Sequence, residues 1–563
     1  MTTLAQPSFL DDRRLLHGPW QAFERDVARL LLANGFADVR LVGGTGDRGA
    51  DVIGAQNGEL WVLQCKHTTS TPPPREAIVE VIEAGRHYKA DHLFVACSRP
   101  PGEAFNLEKA RYERTGYKIH VADPALLRQW MADAPDYAPG RMILRPYQTE
   151  AAAALREALL DTGRGQIVLA TGLGKTVVMA ELIADLFRDS RIQGERVLVV
   201  AHTVAIVKQL HRGFWYQLPK SVPTHQLADA EVPSFWEGIT FATIQSIHSR
   251  LSDLPRFGIV LVDEAHHIGA EMFLRSIEAL DPPMLAGVTA TPWRGDSYDL
   301  DSLLGPPAFT MGIAEGLQRG FLSEVDYRLL ADNLDWEAIQ KQSKNRYSLS
   351  QLNDRLIIPT RDEEAARVIR EAFDRERRTG GIVFCRTIDH ANYFAAMLRR
   401  VGLRAEPISS DNPPRERDTL LSRFKAGQFD LLTTVDLFNE GVDLPDVDLI
   451  VFMRVTHSRR IFVQQLGRGL RITATKDHVL VLDFVTDLHR VAEVVELDRA
   501  VRGASVEHLG LGAQLVVFNN VSAGSYLREW MLDQASVILR EGDPTLHGPQ
   551  FDFPTPRPSG SIQ

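Results

Sequence analysis

The segment QIVLATGLGKTVVMAELIADLF, residues 166–187, passes from an apolar run through a Gly-containing loop into a helical pattern. Glycine lets the backbone N–H groups of such a loop turn towards phosphate oxygens, and the N-terminus of the following helix faces the same anion. We expect the Lys175 ammonium to reach the β- and γ-phosphates and the Thr176 hydroxyl to bind Mg²⁺. The strict pattern has glycine where this chain has Leu169. The segment therefore predicts a strand, a relaxed phosphate-binding loop over Thr171–Thr176 and a helix.

A second motif lies downstream, where the apolar run GIVLVD ends in Asp263-Glu264-Ala265-His266. An acidic residue at the C-terminal edge of a strand beside a phosphate loop can hold Mg²⁺, and we assign this role to Asp263. The neighbouring Glu264 can orient or deprotonate an attacking water. In this order the two motifs predict a site that hydrolyses ATP with Mg²⁺.

Further apolar runs alternate with helical patterns along most of the chain, which predicts an α/β protein with mainly parallel sheets. Runs this apolar are typical of central strands that are buried on both faces of a sheet. The strongest are VLVVAH (197–202), GIVLVD (258–263), GIVFC (381–385), DLIVFM (448–453) and VLVLDF (479–484).

Together the ordered motifs resemble those of superfamily 2 helicases and translocases of the DExH kind, over residues 144–490. Leu144–Gln148 resembles the opening motif of that family, in which the glutamine reads adenine. Residues 197–209, 239–247, 289–292, 381–391, 433–452 and 464–471 resemble motifs Ia, Ib, III, IV, V and VI. The resemblance implies two RecA-like domains that use ATP and Mg²⁺. It also implies these nucleotide-binding residues: Arg145, Gln148, Thr171, Gly172, Gly174, Lys175, Thr176, Asp263, His266 and Gln464.

Motif VI contains arginines, and the chemistry of phosphoryl transfer explains why. Negative charge builds on the γ-phosphoryl oxygens in the transition state, and a planar guanidinium from an opposing domain stabilises that charge. The resemblance implies that Arg468 and Arg471 act in this way. The surrounding span, Arg454–Arg471, contains five arginines and no acidic residue, so a solvated basic face is the structural alternative.

Nucleic-acid contacts are implied by the same resemblance. The family binds a strand across both RecA-like domains, through motifs Ia, Ib, IV and V. Contacts with the phosphate backbone would make this binding tolerant of base sequence. The residues implied here are His202, Thr203, Thr243, Gln245, Arg386 and Thr434.

Near the N-terminus, Asn57-Gly58 is a strong signal for a two-residue hairpin turn between DVIGAQ and ELWVLQCK. Counting outward from this turn places Asp51 opposite Gln64. Side chains alternate along a strand with a period of two, so Lys66 shares a face with Asp51 and Gln64. These groups suit metal-assisted hydrolysis of a phosphodiester. Asp51 and Gln64 would bind the metal ion, and Lys66 would orient the water or stabilise negative charge.

The pattern resembles the Mrr-type restriction endonuclease domain of the PD-(D/E)xK nuclease superfamily, in which a GxD element is followed by QxK. Here these elements are Gly49-Ala50-Asp51 and Gln64-Cys65-Lys66. Glu24, on the first long predicted helix, matches an acid that often supports the site. The alternative is a nuclease fold whose salt-bridged hairpin only binds DNA. The resemblance implies a Mg²⁺-dependent endonuclease with the catalytic residues Asp51, Gln64, Lys66 and Glu24.

The chain of 563 residues then divides into four predicted regions. They are a restriction-endonuclease-like α/β domain (1–137), a first RecA-like domain (144–325), a second RecA-like domain (326–490), and a helical extension with a Pro/Gly-rich tail (491–563). The net charge of −10 argues against a protein that coats nucleic acid through charge alone. Three cysteines without CxxC spacing argue against a disulfide framework or a zinc site. Since no apolar leader or span is evident, we expect a cytoplasmic protein that does not contact membrane.

The sequence favours an ATP-dependent DNA helicase or translocase with a Mg²⁺-dependent endonuclease. It would act on duplex or single-stranded DNA, in restriction of foreign DNA or in DNA repair. Two alternatives stay open: a DNA motor whose nuclease-like domain only binds DNA, and an RNA helicase. A single nuclease centre per chain also leaves open a homo-oligomer or a partner defence subunit.

Overall fold

The computed structural model describes residues 8–42, 49–290, 299–331, 359–435, 447–453, 472, 476, 478–484 and 516–518. The chain forms two compact units, Met1–Leu169 with Gly174–Thr310, and Ala170–Leu173 with Met311–Gln563. No helix among the described residues is both long and apolar enough to cross a membrane.

The N-terminal domain is a mixed sheet with helices on both faces. Its strands are β1 (Ala37–Leu41), β2 (Val52–Gln56), β3 (Glu59–Lys66), β4 (His92–Cys97) and β5 (Ile119–Ala122). Its helices are α1 (Asp12–His17), α2 (Trp20–Ala33), α3 (Ala77–Tyr88), α4 (Glu103–Glu113) and α5 (Pro124–Asp133). The strands lie in the order β1-β2-β3-β4-β5, antiparallel from β1 to β3 and parallel from β3 to β5.

The hairpin of β2 and β3 has the register predicted from its turn. Asn57 and Gly58 both have positive φ, 55° and 84°, which is the backbone conformation that such a turn requires. Val52 pairs with Leu63, and the pairing continues in the predicted register to the turn. The prediction that Asp51 lies opposite Gln64 is therefore confirmed.

Two apolar clusters cover opposite faces of this sheet. Leu63 and Cys65 pack in a cluster with residues of α2, whereas Val62 packs in a cluster with residues of α3. Because side chains alternate along a strand, Gln64 and Lys66 lie on the face that α3 covers. The polar groups of the hairpin therefore lie beneath α3.

The first RecA-like domain contains a seven-stranded sheet. Its strands are β6 (Arg164–Leu169), β7 (Arg196–Ala201), β8 (Thr224–Leu227), β9 (Gly238–Thr243), β10 (Ile259–Asp263), β11 (Met284–Thr289) and β12 (Phe309–Met311). Its α-helices are α6 (Pro146–Thr162), α7 (Lys175–Arg188), α8 (Val204–Trp215), α9 (Ile244–His248), α10 (Glu271–Leu280) and α11 (Asp301–Leu304). Short 3-10 helices span Gln193–Glu195, Leu251–Asp253 and Ala265–His267. The order is β12-β6-β11-β10-β7-β9-β8, and the strands from β6 to β8 pair in parallel.

The second unit contains another seven-stranded sheet. Its strands are β13 (Glu324–Ala331), β14 (Gly381–Phe384), β15 (Ala405–Pro407), β16 (Leu431–Thr434), β17 (Leu449–Phe452), β18 (His478–Asp483) and β19 (Val516–Phe518). Its helices are α12 (Ile313–Gln318), α13 (Pro359–Arg375), α14 (Ile388–Arg400) and α15 (Pro414–Lys425). The order is β15-β16-β14-β17-β18-β13-β19, with parallel pairing throughout. The five strands expected from apolar runs are all present, which confirms the prediction of α/β domains with parallel sheets.

The N-terminal domain is held against the first RecA-like domain by buried polar contacts. Both guanidinium Nη atoms of Arg25, on α2, donate to the carboxylate of Glu231, one of them over 2.7 Å. These two side chains are only 10% and 3% exposed. One turn further along α2, Arg29 donates to the backbone carbonyls of Val222 at 2.8 Å and Pro219 at 3.1 Å. The two domains thus share an interface in which charged side chains of α2 bond to groups of the first RecA-like domain.

Helix α8 takes part in the same interface. Its last residue, Trp215, is 4% exposed and belongs to the apolar cluster that also contains Leu63 and residues of α2. Lys220, shortly after α8, donates through Nζ to backbone carbonyls at the end of α5, including that of Ala134 at 2.6 Å. At its other end α8 begins beside Thr203, a residue predicted to contact DNA.

Candidate active sites

Asp51 and Gln64 lie side by side at the end of the hairpin that is remote from its turn. Gln64 Nε2 donates to Asp51 Oδ2 over 2.7 Å, and the Cys65 backbone N–H donates to the same oxygen over 2.6 Å. Asp51 and Gln64 are 4% and 6% exposed. The Gln64 amide oxygen is buried and accepts no hydrogen bond from the described residues. A buried oxygen with unused lone pairs beside a carboxylate fits the ligand preference of a divalent cation.

Lys66, the third predicted residue of this centre, ends β3 and has an acidic partner on α3. Its Nζ lies 2.6 Å from Oε2 of Glu80, and the two side chains are 21% and 40% exposed. Glu80 is not among the residues predicted from the sequence, because the spacing of residues along a strand does not show which residues of a helix packed above that strand will contact it. The buried neighbours Val81 and Ile82 indicate the face of α3 that meets the sheet. This pattern, combined with the crossover from β3 to β4, is the signal that could have found Glu80.

Gly49 fixes the distance between this helix and the turn that leads to Asp51. Its φ is +83°, and a Cβ at this position would lie 2.3 Å from the backbone carbonyl oxygen of Glu80. No side chain fits in so short a distance, and the left-handed backbone favours glycine independently. The glycine of the GxD element therefore has a packing reason that is independent of the role predicted for Asp51.

Glu24 lies on α2, half-buried. Burial, together with the negative charges of Asp51 and Glu24, raises the pKa of the Cys65 thiol well above its usual range. Cys65 is therefore a neutral thiol at the centre and no nucleophile. The same effect puts Glu24 within electrostatic reach of the hairpin, and its supporting role stays a prediction.

The phosphate loop has the backbone conformation that its glycines allow. Gly172 and Gly174 have positive φ, 92° and 82°, and α7 begins directly after them at Lys175. Lys175 Nζ lies 3.0 Å from Oε1 of Glu264, and both side chains are largely buried, at 14% and 13% exposure. Thr176 follows in the first turn of α7. The two sequence motifs that predicted an ATP site therefore meet at one ion pair.

The adjacent acids Asp263 and Glu264 have different protonation preferences. Burial and the charge of Glu264 raise the pKa of Asp263 to about 6. Burial also raises the pKa of Glu264, but Lys175 and His266 outweigh that effect and hold it below its usual range. The Oδ1 atom of Asp263 is buried and has no hydrogen-bond partner among the described residues. The carboxylate oxygens of Asp263 therefore fit a divalent cation. Glu264, in contrast, is a carboxylate that Lys175 holds in an ion pair.

His266 links this pair to the following strand. Its Nδ1 lies 3.0 Å from the Thr289 hydroxyl and 3.3 Å from Glu264 Oε2. The backbone N–H of Ala290 donates to the same glutamate oxygen over 3.4 Å. Thr289 and Ala290 begin the segment predicted as motif III, whose other two residues lie outside the described part of the chain. Glu264 thus contacts the segment that was predicted as motif III.

Arg145 and Gln148, predicted to contact the nucleotide, open α6. Gln148 Oε1 accepts a hydrogen bond from the Arg145 backbone N–H over 2.9 Å, and Gln148 is 7% exposed. A Cβ at Gly174 would lie 2.4 Å from Gln148 Nε2, so the amide rests directly on the phosphate loop. Adenine recognition by this glutamine stays a prediction, and its contact with the loop is an additional finding.

The residues predicted to bind nucleic acid differ in exposure. Thr203 and Gln245 are exposed, and His202 is half-buried with its ring 4.6 Å from that of His267. Thr243 is buried, with its hydroxyl capping α9. In the second unit, Thr434 is buried, and the 3%-exposed side chain of Arg386 lies 3.8 Å from Asp362. Backbone contacts at these six positions stay predictions. The predicted motif VI residues Gln464, Arg468 and Arg471 lie outside the described residues.

Three segments of the chain match models of known families. Residues 15–131 match the Mrr catalytic domain, described as a restriction endonuclease. Residues 141–294 match the res subunit of type III restriction enzymes. Residues 364–473 match the helicase conserved C-terminal domain.

Known proteins resemble the chain over longer stretches. The putative ATP-dependent helicase IRC3 of Saccharomyces cerevisiae is 25% identical over 356 residues, which cover 61% of this chain and 51% of that protein. The chain thus spans about half the length of this relative. The DNA 3'-5' translocase XPB2 of Sulfurisphaera tokodaii is 26% identical over 381 residues, or 61% of this chain and 81% of that one. A solved structure, the ATP-dependent type ISP restriction-modification enzyme LlaBIII bound to DNA, aligns with 91% of this chain and 41% of that chain. Its TM-score of 0.53 at 17% identity supports the fold alone.

Proposed function

Because the chain joins an Mrr-type restriction endonuclease domain to the two domains of a superfamily 2 helicase, we propose that it is an ATP-driven DNA helicase or translocase that also cuts DNA with a divalent metal ion. One observation carries the proposal: a single compact unit contains the ion pair of Lys175 with Glu264 and the hairpin of Asp51. Lys175 and Glu264 form one centre beside Asp263. Asp51 and its hairpin neighbours form the other.

In the proposed ATP hydrolysis, Lys175 leaves Glu264 to bind the phosphates. Its departure removes the strongest of the influences that lower the pKa of Glu264, while burial continues to raise it. Glu264 therefore becomes a stronger base when the nucleotide is bound, and it accepts the proton of the attacking water. His266 holds the glutamate in place from the other side. Asp263 and Thr176 would hold Mg²⁺, which neutralises phosphate charge when bound.

In the proposed DNA cleavage, the hairpin supplies the binding groups. Asp51 and the amide oxygen of Gln64 would hold a divalent ion, which lowers the pKa of a bound water when present. Lys66 lies on the same face and donates to the scissile phosphate or to the attacking water. The hydrogen bond from Gln64 to Asp51 keeps the carboxylate turned towards the face that α3 covers. We propose Mg²⁺ as the physiological ion at both centres.

The two centres can be tested separately with single substitutions. Lys175→Ala should lower DNA-stimulated ATP hydrolysis by at least about 10²-fold, because a phosphate-binding charge is lost. The same variant should keep metal-dependent cutting of short DNA that needs no translocation. Asp51→Ala should show the reverse, with cutting abolished and ATP hydrolysis retained. A nicking assay and a phosphate-release assay on the same preparations measure both activities.

Failure of wild-type protein to cut duplex, single-stranded, forked or methylated DNA with Mg²⁺ or Mn²⁺ would remove the nuclease half of the proposal. The second candidate, a motor whose nuclease fold only binds DNA, would then take its place. That candidate is favoured by one feature, the ion pair of Lys66 with Glu80, which can serve the hairpin as a structural contact alone. ATP hydrolysis stimulated by RNA and not by DNA would replace the DNA motor with an RNA helicase.

For the biological role we propose restriction of foreign DNA, with repair as the alternative. The support is the match of residues 15–131 to a restriction endonuclease family. Cells that express the protein should plate phage less efficiently than cells that express Asp51→Ala. Equal plating, combined with a difference in survival after DNA damage, would favour repair.

A further inference from the structure

We propose that Glu80 is a positioning residue of the nuclease centre: a carboxylate from α3 that holds the Lys66 ammonium beside Asp51 and Gln64. The inference rests on the proposed nuclease function and extends it by one residue. It starts from the ion pair, in which Lys66 Nζ lies 2.6 Å from Glu80 Oε2.

A lysine needs such a partner more than most catalytic groups do. Its side chain is flexible and loses considerable conformational entropy when the ammonium is held in one place. Lys66 is the last residue of β3, so no neighbouring residue further along that strand confines it. The carboxylate of Glu80 supplies the missing constraint as the partner of the lysine in a close ion pair.

The position of Glu80 is itself fixed relative to the metal-binding groups. Its backbone carbonyl lies against Gly49, where a Cβ would come within 2.3 Å. Gly49 is two residues before Asp51, and the Asp51 backbone N–H donates to the carbonyl of Leu63 in the hairpin over 3.0 Å. The helix that carries Glu80 is therefore packed directly on the turn that carries Asp51. A side chain anchored there can set the distance from Lys66 to Asp51.

Charge gives an independent reason for an acid at this place. Gln64 is neutral, so the hairpin face carries one carboxylate, Asp51, and one ammonium, Lys66. A second carboxylate on the strand would have served both as ligand and as counter-charge to the lysine. Glu80 provides the counter-charge from the helix and leaves the amide of Gln64 to the metal ion. Beside Asp51 on the hairpin and Glu24 on α2, the centre thus has a further acid that α3 supplies.

The test compares Glu80→Gln with Glu83→Gln. Glu83 lies on the same helix, three residues further on, and is exposed. Glutamine keeps the size of the side chain, so α3 should stay folded in both variants. We expect Glu80→Gln to lower kcat for DNA cleavage by about 10- to 100-fold with little change in KM, because a misplaced catalytic group costs rate rather than binding. Glu83→Gln should match wild type, and Glu80→Asp should recover part of the rate.

A second readout does not depend on cleavage. Acetylation by an amine-reactive reagent, followed by peptide mass mapping, reports how accessible the Lys66 amine is. Loss of the ion pair should raise the labelling rate of Lys66 by about two- to fivefold in Glu80→Gln, and leave it unchanged in Glu83→Gln. Binding of Mn²⁺, measured by calorimetry in an Asp263→Ala background, should persist in Glu80→Gln and be lost in Asp51→Ala.

The outcomes separate this inference from the proposed function. Wild-type protein that cuts no DNA removes the proposed function, whereas the labelling result still tests the contact. Wild-type activity that is equalled by Glu80→Gln overturns the inference alone. Loss of Mn²⁺ binding in Glu80→Gln also overturns it, because Glu80 would then be a metal ligand rather than a partner of Lys66.

Discussion

Each candidate centre contains a lysine held by a glutamate, and the two pairs differ in burial and origin. Lys175 and Glu264 are 14% and 13% exposed, and the lysine begins α7 whereas the glutamate directly follows β10. Lys66 and Glu80 are 21% and 40% exposed, and the glutamate comes from a helix above the sheet. Because the first pair is buried, the charge of Lys175 strongly lowers the pKa of Glu264. The second pair lies at the rim, where water screens charge, so its role is to hold a side chain in place.

The largest expected effect tests the chemistry of the buried pair. Glu264→Gln should reduce ATP hydrolysis by about 10²- to 10⁴-fold, since the base that accepts the proton of water is removed. ATP binding should remain, because Lys175 is freed to reach the phosphates. Steady-state hydrolysis and equilibrium binding of a fluorescent ATP analogue measure the two effects. The contrast between the two centres would be wrong if Glu264→Gln lowered ATP hydrolysis by no larger a factor than Glu80→Gln lowers DNA cleavage.

The second prediction concerns a buried ion pair, Arg25 with Glu231, that takes part in neither proposed reaction. Arg25→Ala leaves the carboxylate of Glu231, which is 3% exposed, without its guanidinium. We expect the free energy of unfolding to fall by about 3–5 kcal/mol, because a buried charge is left uncompensated. Urea unfolding measures the change.

The matched control for this prediction is an exposed pair in the same unit. Lys208 and Asp229 are 55% and 63% exposed, and Lys208→Ala should cost less than about 1 kcal/mol. The double variant that also replaces Glu231 with alanine should lose less than Arg25→Ala alone. Equal losses in Arg25→Ala and Lys208→Ala would mean that burial does not set the strength of these pairs.

The smallest expected effect concerns a buried acid next to that interface pair. Burial raises the pKa of Asp26 from 3.8 to about 7, against the opposing charges of Arg25, Arg14 and Arg29. The folded state therefore binds a proton that the unfolded state has released, and stability falls as the pH rises through that window. Asp26→Asn removes this dependence. Its gain over wild type should begin near the ordinary pKa of an aspartate, grow by about 2–3 kcal/mol between about pH 5 and pH 7, and then level off.

Urea unfolding at several pH values measures this gain. The exposed Asp229 provides a control, since Asp229→Asn should show no growth across the same window. A gain for Asp26→Asn that is already complete at about pH 5 would contradict the assigned cause, because burial would then not be what holds the proton.

The sequence predicted those features that local spacing determines. Asn57-Gly58 was sufficient to place Asp51 opposite Gln64, because a two-residue turn leaves only one register. The phosphate loop and the acidic motif were recognised because each lies within a few residues of a strand end. The family matches confirm the recognition of a nuclease domain and two helicase domains.

Glu80 and Arg25 were missed for a common physical reason. Each meets its partner through the packing of a helix against another element, and the sequence distance between partners ranges from 14 residues to 206. The contact of Gln148 with Gly174 was missed in the same way, since only the packed structure brings α6 onto the phosphate loop. Such contacts depend on where helices settle, which no local pattern encodes.

The interface through α2 and α8 limits how the N-terminal domain could be removed or replaced by recombination. A recombination event that removed the N-terminal domain would bare the indole of Trp215 and leave the Glu231 carboxylate without its guanidinium. The remaining protein would expose an apolar and charged surface next to α8, the helix that follows Thr203. A successful exchange must therefore carry helix α8 along with the nuclease or replace several interface residues at once.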